Sequence, residues 1–140
     1  MSPERWLRRL LRALGVWDLL ALGAVVMPQA WMAAVHAWLG MGTLPHAPVV
    51  DYLARSASLM YAQHALVFLF LSGDVRRYRP LIHFMAVVAM VSGGIMLAID
   101  LVAAIPLFWT LIEGPGYIVL ALAVLALGRH VTPDREKSGG

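Results

Sequence analysis

A few side chains could do chemistry because the sequence around them is otherwise apolar. Arg55, Asp100 and Glu113 each stand one or two helical turns inside an apolar stretch, at similar depth from its outer end. An arginine between two carboxylates would satisfy most of the charge at that depth, and Asp51, one turn before Arg55, adds an i,i+4 partner. Two chemistries are open. In one, Arg55 holds an anionic or carbonyl group of a ligand while a carboxylate exchanges protons; in the other, the charges neutralise one another and fix how helices pack. Gly114, Pro115 and Gly116, directly after Glu113, point toward a site, because the proline frees the carbonyl of Leu111 and the glycines let the helix open. A simple proline kink is the plainer alternative. His64 shares a helix face with Tyr61, as a ligand or proton carrier or as a hydrogen-bonded packing residue. The candidate ligand-binding set is therefore Arg55, Tyr61, His64, Asp100 and Glu113. Asp18 stands apart in the inner half of its stretch, where Arg77, Arg79 or His83 is the expected partner and a proton relay the alternative.

These residues need elements to position them, and the composition says which. Of 140 residues, 61% are apolar and only 14% charged, against about 45–50% and 25% in soluble domains. That excludes a disordered chain and a soluble domain of this length. Charge-free runs at 56–73, 80–99 and 114–128 approach the ~20 residues of a helical span. A first, less clean span is interrupted by Asp18 and ended by Pro28. The pattern predicts an all-α fold: a four-transmembrane-helix bundle with spans near 10–27, 50–72, 80–104 and 107–128. After the first span, Trp31, Met32, Val35, Trp38 and Leu39 fall on one side of a short interfacial amphipathic helix. A single membrane domain is expected over 1–131, with a frayed polar tail over 132–140.

Arg55 apart, every Lys and Arg falls before or at the start of span one, between spans two and three, or after span four. The positive-inside rule then places both termini of a multi-pass membrane protein in the cytoplasm. The same arrangement accounts for the basic balance of the chain by contact with anionic headgroups, and no groove-reading motif points to nucleic acid. Arg5, Arg8, Arg9 and Arg12 ahead of an apolar stretch also fit a signal peptide, but Asp18 and the lack of a clear A-x-A site favour an uncleaved span.

Several cofactor classes fail on spacing. There is no cysteine, hence no thiolate nucleophile, thiolate zinc site or iron–sulfur ligation. His64 is about eight residues, and His83 about three, from the inner ends of their spans, a mismatch of roughly 7–8 Å that defeats bis-histidine haem ligation. No His-x3-His spacing, Walker loop or nucleophile elbow occurs. No cofactor is expected. Ser92, Gly93 and Gly94 offer a small surface for helix approach without a full GxxxG.

The basic N-terminus, the span ending in Met27-Pro28, the span carrying Tyr61, the Arg76 to Pro80 turn and the Gly-Gly third span resemble the small four-helix bacterial membrane proteins of the DoxX-like and DUF4345-like group, which implies a place in the bacterial inner membrane. The resemblance covers about 10–128 and implies the fold. Some DoxX-type proteins work with thiosulfate or quinone redox systems, so it also implies a membrane oxidoreductase subunit as one alternative. Three expectations follow. The chain is a non-enzymatic accessory of a larger membrane complex, or a binder of a lipid, quinone or isoprenoid in an outer-leaflet polar pocket, or a small proton-coupled transporter acting as a homo-oligomer. Its partners are the bilayer, a lipophilic small molecule, and a second copy or another membrane protein, with no nucleic acid.

Overall fold

Proline sets most of the helix starts. The computed structural model describes residues 2–131 and contains α1 (Pro3–Leu19), α2 (Leu22–Val26), α3 (Gln29–Trp38), α4 (Pro48–Leu71), α5 (Arg79–Val102) and α6 (Leu107–Arg129), with no strand among the described residues. Pro3, Pro48 and Pro80 lie in first turns, where a missing N–H costs nothing, while Pro28 and Pro106 cap α3 and α6. The polar tail expected over 132–140 lies outside the described residues.

The expected first span is not one helix. α1 begins at Pro3 and stops at Leu19, and α2 resumes at Leu22. Between them the N–H groups of Leu20, Ala21, Gly23 and Ala24 each donate to the carbonyl three residues back, at 3.0–3.1 Å, which tightens the coil without reversing it. Two helices, α5 and α6, are long and apolar enough to cross a bilayer. α4 matches α5 in length at 24 residues, but Asp51, Arg55, Ser56, Ser58, Gln63 and His64 interrupt its apolar run.

The described residues form two compact units, one made of the chain up to Leu11 with Leu71 onward, the other of Arg12–Phe70. In the first, α5 and α6 make an antiparallel hairpin. The buried residues Ile82, Ala86, Gly93 and Asp100 on α5, and Thr110, Gly114, Ala121, Val124 and Gly128 on α6, recur at spacings of three, four and seven. A Cβ added at Gly93 would lie 2.6 Å from the carbonyl oxygen of Gly114, and one at Gly114 would lie 2.8 Å from that of Gly93. The two backbones therefore touch, as small residues permit. α6 runs unbroken through Pro115, so Gly114 does not open the helix; it seats α6 on α5.

The α5–α6 turn closes with the Ile105 N–H donating to the Asp100 carbonyl at 3.1 Å and Ala104 in the left-handed region at φ +52°. Glycine normally fills this position. Ala104→Gly is expected to stabilise the hairpin by about 1 kcal/mol, read as a higher thermal midpoint in detergent.

The first turns of α1 belong to the same unit, where Leu7 and Leu11 are fully buried. Glu4 is fixed there by Arg76, whose Nε and Nη2 donate to Oε2 at 2.8 and 2.6 Å.

In the 12–70 unit, α1 crosses α4 at Gly15, where an added Cβ would meet Leu69 and the Ala65 carbonyl within 3.0 Å. α3 follows Pro28 as expected, but no residue of it is buried, and its apolar positions divide. Trp31, Val35 and Trp38 are exposed, whereas Met32 and Leu39 are partly covered. Gly40 and Gly42, at φ +73° and +82°, turn the chain toward α4, and His36 Nδ1 lies 3.2 Å from the Gly42 carbonyl.

Buried alanines occur in both units, joined in the hairpin unit by buried Leu7, Leu11, Leu71 and Ile82, while many large apolar side chains are exposed. Ala62, Ala65, Ala86 and Ala121 are buried, while Phe70, Phe84, Leu101 and Ile112 are exposed.

Candidate functional site

Within the 12–70 unit, α2 ends at Val26 with carbonyls that no further helical turn can satisfy, because Pro28 follows and has no N–H to give. Arg55, two turns into α4, fills that need. Its Nη1 donates to the Val25 carbonyl and its Nη2 to the Met27 carbonyl at 3.0 Å, while its Nε donates to Asp51 Oδ2 at 2.9 Å. The Asp51–Arg55 pair is the i,i+4 contact expected from spacing. One guanidinium thus ties the end of α2 to α4 through three acceptors of its own unit, a fork geometry that lysine lacks.

The same seam sets the register of the other polar residues. Gly15 meets Leu69, and Met27 meets Arg55, so α1 and α2 run antiparallel along α4. Between these contacts Asp18 comes opposite His64, close enough for their charges to interact. Arg77, Arg79 and His83, the partners expected for Asp18, belong to the other unit, and no ion pair joins Asp18 to His64 among the described residues. His64 is exposed and stacks obliquely on Phe68, with ring centroids 6.3 Å apart. Tyr61, one turn earlier, is also exposed, which leaves a hydroxyl and an imidazole on one outward face of α4.

Asp100 and Glu113 belong to the other unit. Asp100 is buried near the C-terminal end of α5, on the face that packs against α6, and its Oδ2 accepts no hydrogen bond among the described residues. Thr110 is buried too, with its hydroxyl directed back to the carbonyls of Ile105 and Pro106 at 3.4 and 3.5 Å. Glu113 accepts the indole N–H of Trp109, one turn before it. At the other end of the hairpin, Arg79 Nε donates to the Gly128 carbonyl at 2.9 Å, and the His83 ring lies directly against Gly128.

The structure thus bonds Arg55 to Asp51 and Trp109 to Glu113. Arg55, Tyr61 and His64 lie on one helix of the 12–70 unit; Asp100 and Glu113 are in the unit that holds the α5–α6 hairpin. Sequence reasoning missed the Trp109–Glu113 bond, although its i,i+4 spacing was legible, and the use of Arg55 as a helix cap, for which Pro28 was the clue. Among the described residues no three His, Asp or Glu gather as a metal-ligand set. Comparison with protein-family models, with curated proteins and with solved structures finds no match to the chain.

Proposed function

We propose that this chain is a non-enzymatic integral protein of the bacterial cytoplasmic membrane, with four spans near 10–27, 50–72, 80–104 and 107–128 and both termini inside. In this reading it serves as an accessory or packing subunit of a larger membrane assembly. One observation carries the non-enzymatic part: Arg55, the cation best placed to hold a ligand, donates to Asp51 and to two carbonyls of its own unit. The membrane part is supported by the apolar length of α5 and α6 and by the many large apolar side chains that the fold leaves exposed. That distribution suits a solvent of lipid tails, which are as apolar as leucine.

A second reading, a binder of a lipid, quinone or isoprenoid, is favoured by the outward face of α4, where Tyr61 and His64 stand exposed beside Asp18. Polar groups at that depth need a partner. Native mass spectrometry of the purified protein separates the two. The accessory reading predicts no recurrent small molecule other than phospholipid. A lipophilic ligand that is lost from His64→Ala at matched folding would overturn it in favour of the second.

A further inference from the structure

Three chain segments are pinned together at one end of the unit that holds the α5–α6 hairpin. Glu4 binds Arg76, joining the start of α1 to the turn before α5, and Arg79 binds the Gly128 carbonyl, joining that turn to the end of α6. The acidic side chains described there are already engaged. Glu4 also pairs with Arg8 at 3.5 Å, and Asp74 Oδ1 accepts the backbone N–H of Arg77 at 3.1 Å.

Arg5, Arg9 and Arg77 are exposed. On α1, Leu7 and Leu11 are buried, and Arg5 and Arg9 share the opposite, exposed face. Arg9 lies over the half-exposed ring of Trp6, 5.8 Å from its centroid, and exposed Arg77 lies over Tyr78 at 5.5 Å. Cations backed by amphipathic rings, beside the ends of two helices long enough to span a bilayer, match the chemistry and depth of a headgroup layer.

We propose that this end of the molecule is a binding surface for anionic phospholipid headgroups, with Arg5, Arg9 and Arg77 on the phosphates and Trp6 and Tyr78 at the level of the headgroups. The inference rests on the membrane reading above. Its test is retention of lipid by the full chain, taken from nanodiscs of mixed phosphatidylglycerol and phosphatidylcholine and weighed by native mass spectrometry.

Wild type is expected to retain phosphatidylglycerol in preference to phosphatidylcholine, even in excess inorganic phosphate. Each arginine removed among Arg5→Gln, Arg9→Gln and Arg77→Gln is expected to lower that retention by about five-fold. The corresponding lysine variants are expected to keep most of it, because a headgroup layer reads charge. Equal retention of the two lipids by wild type, retention unchanged in the triple glutamine variant, or displacement by phosphate would each overturn the proposal. A chain that enters neither lipid overturns the membrane reading as well, whereas insertion without headgroup preference overturns this surface alone.

Discussion

Gly114→Ala is expected to destabilise the α5–α6 hairpin by about 3 kcal/mol, and Gly114→Leu to prevent its assembly. The added Cβ would meet the Gly93 carbonyl oxygen at 2.8 Å and the Leu97 Cβ at 2.8 Å. Backbone cannot rotate out of the way, so relief requires the helices to separate along their buried face. Helix propensity works in the opposite direction, since alanine is better than glycine by about 1 kcal/mol, but the collision outweighs it. Gly116 supplies the control. Nothing lies within 4 Å of a Cβ built there, so Gly116→Ala keeps the propensity gain without a clash and is expected to stabilise. Thermal midpoints of the two variants in one detergent check the contrast, and equal midpoints would mean that the glycines do not set the helix crossing.

Arg55→Ala is expected to damage the 12–70 unit more than any other removal of a charge in it. The substitution strips donors from three acceptors at once: Asp51 Oδ2 and the carbonyls of Val25 and Met27. Asp51 Oδ1 already has no donor among the described residues, so its carboxylate would lose its only cation there. An unpaired charge costs more than a missing pair, so Asp51→Asn is expected to be milder. Arg55→Lys is expected to rescue only in part, because one ammonium cannot span acceptors on both α2 and α4. Folded yield after detergent extraction and resistance of the α2–α3 segment to protease are the readouts. An Arg55→Ala protein as protease-resistant as wild type would remove the clamp from the account.

The helices from Pro48 onward were legible because proline and charge mark their ends: Pro48, Arg79-Pro80 and Pro106-Leu107 stand where α4, α5 and α6 begin. The joint at Leu20–Ala21 was not legible. It carries no proline or paired glycine, and its tightening is written only in hydrogen bonds to the third residue back. Pairing across the chain was legible only in part. The i,i+4 spacing gave Asp51–Arg55, but Glu4 and Arg76 are 72 residues apart and meet through topology alone. For Asp18, depth alone did not supply its neighbour on α4: the antiparallel register of α1 on α4, set at Gly15 and Leu69, brings the charge of His64 within reach of it. Gly114 was singled out for the wrong property, since glycine beside proline reads equally as a break or a contact, and only the partner backbone at Gly93 decides.

The central claim is the four-span topology, and the chain lends itself to a direct test because it contains no cysteine. Single cysteines at Ser2, Thr43, Gly73 and Ala103 would be labelled in intact cells with a membrane-impermeant maleimide, before and after lysis. The account predicts that Thr43→Cys and Ala103→Cys react from outside, and that Ser2→Cys and Gly73→Cys react only after lysis. Labelling of Thr43→Cys and Ala103→Cys from opposite sides, or of all four positions from one side, would contradict it.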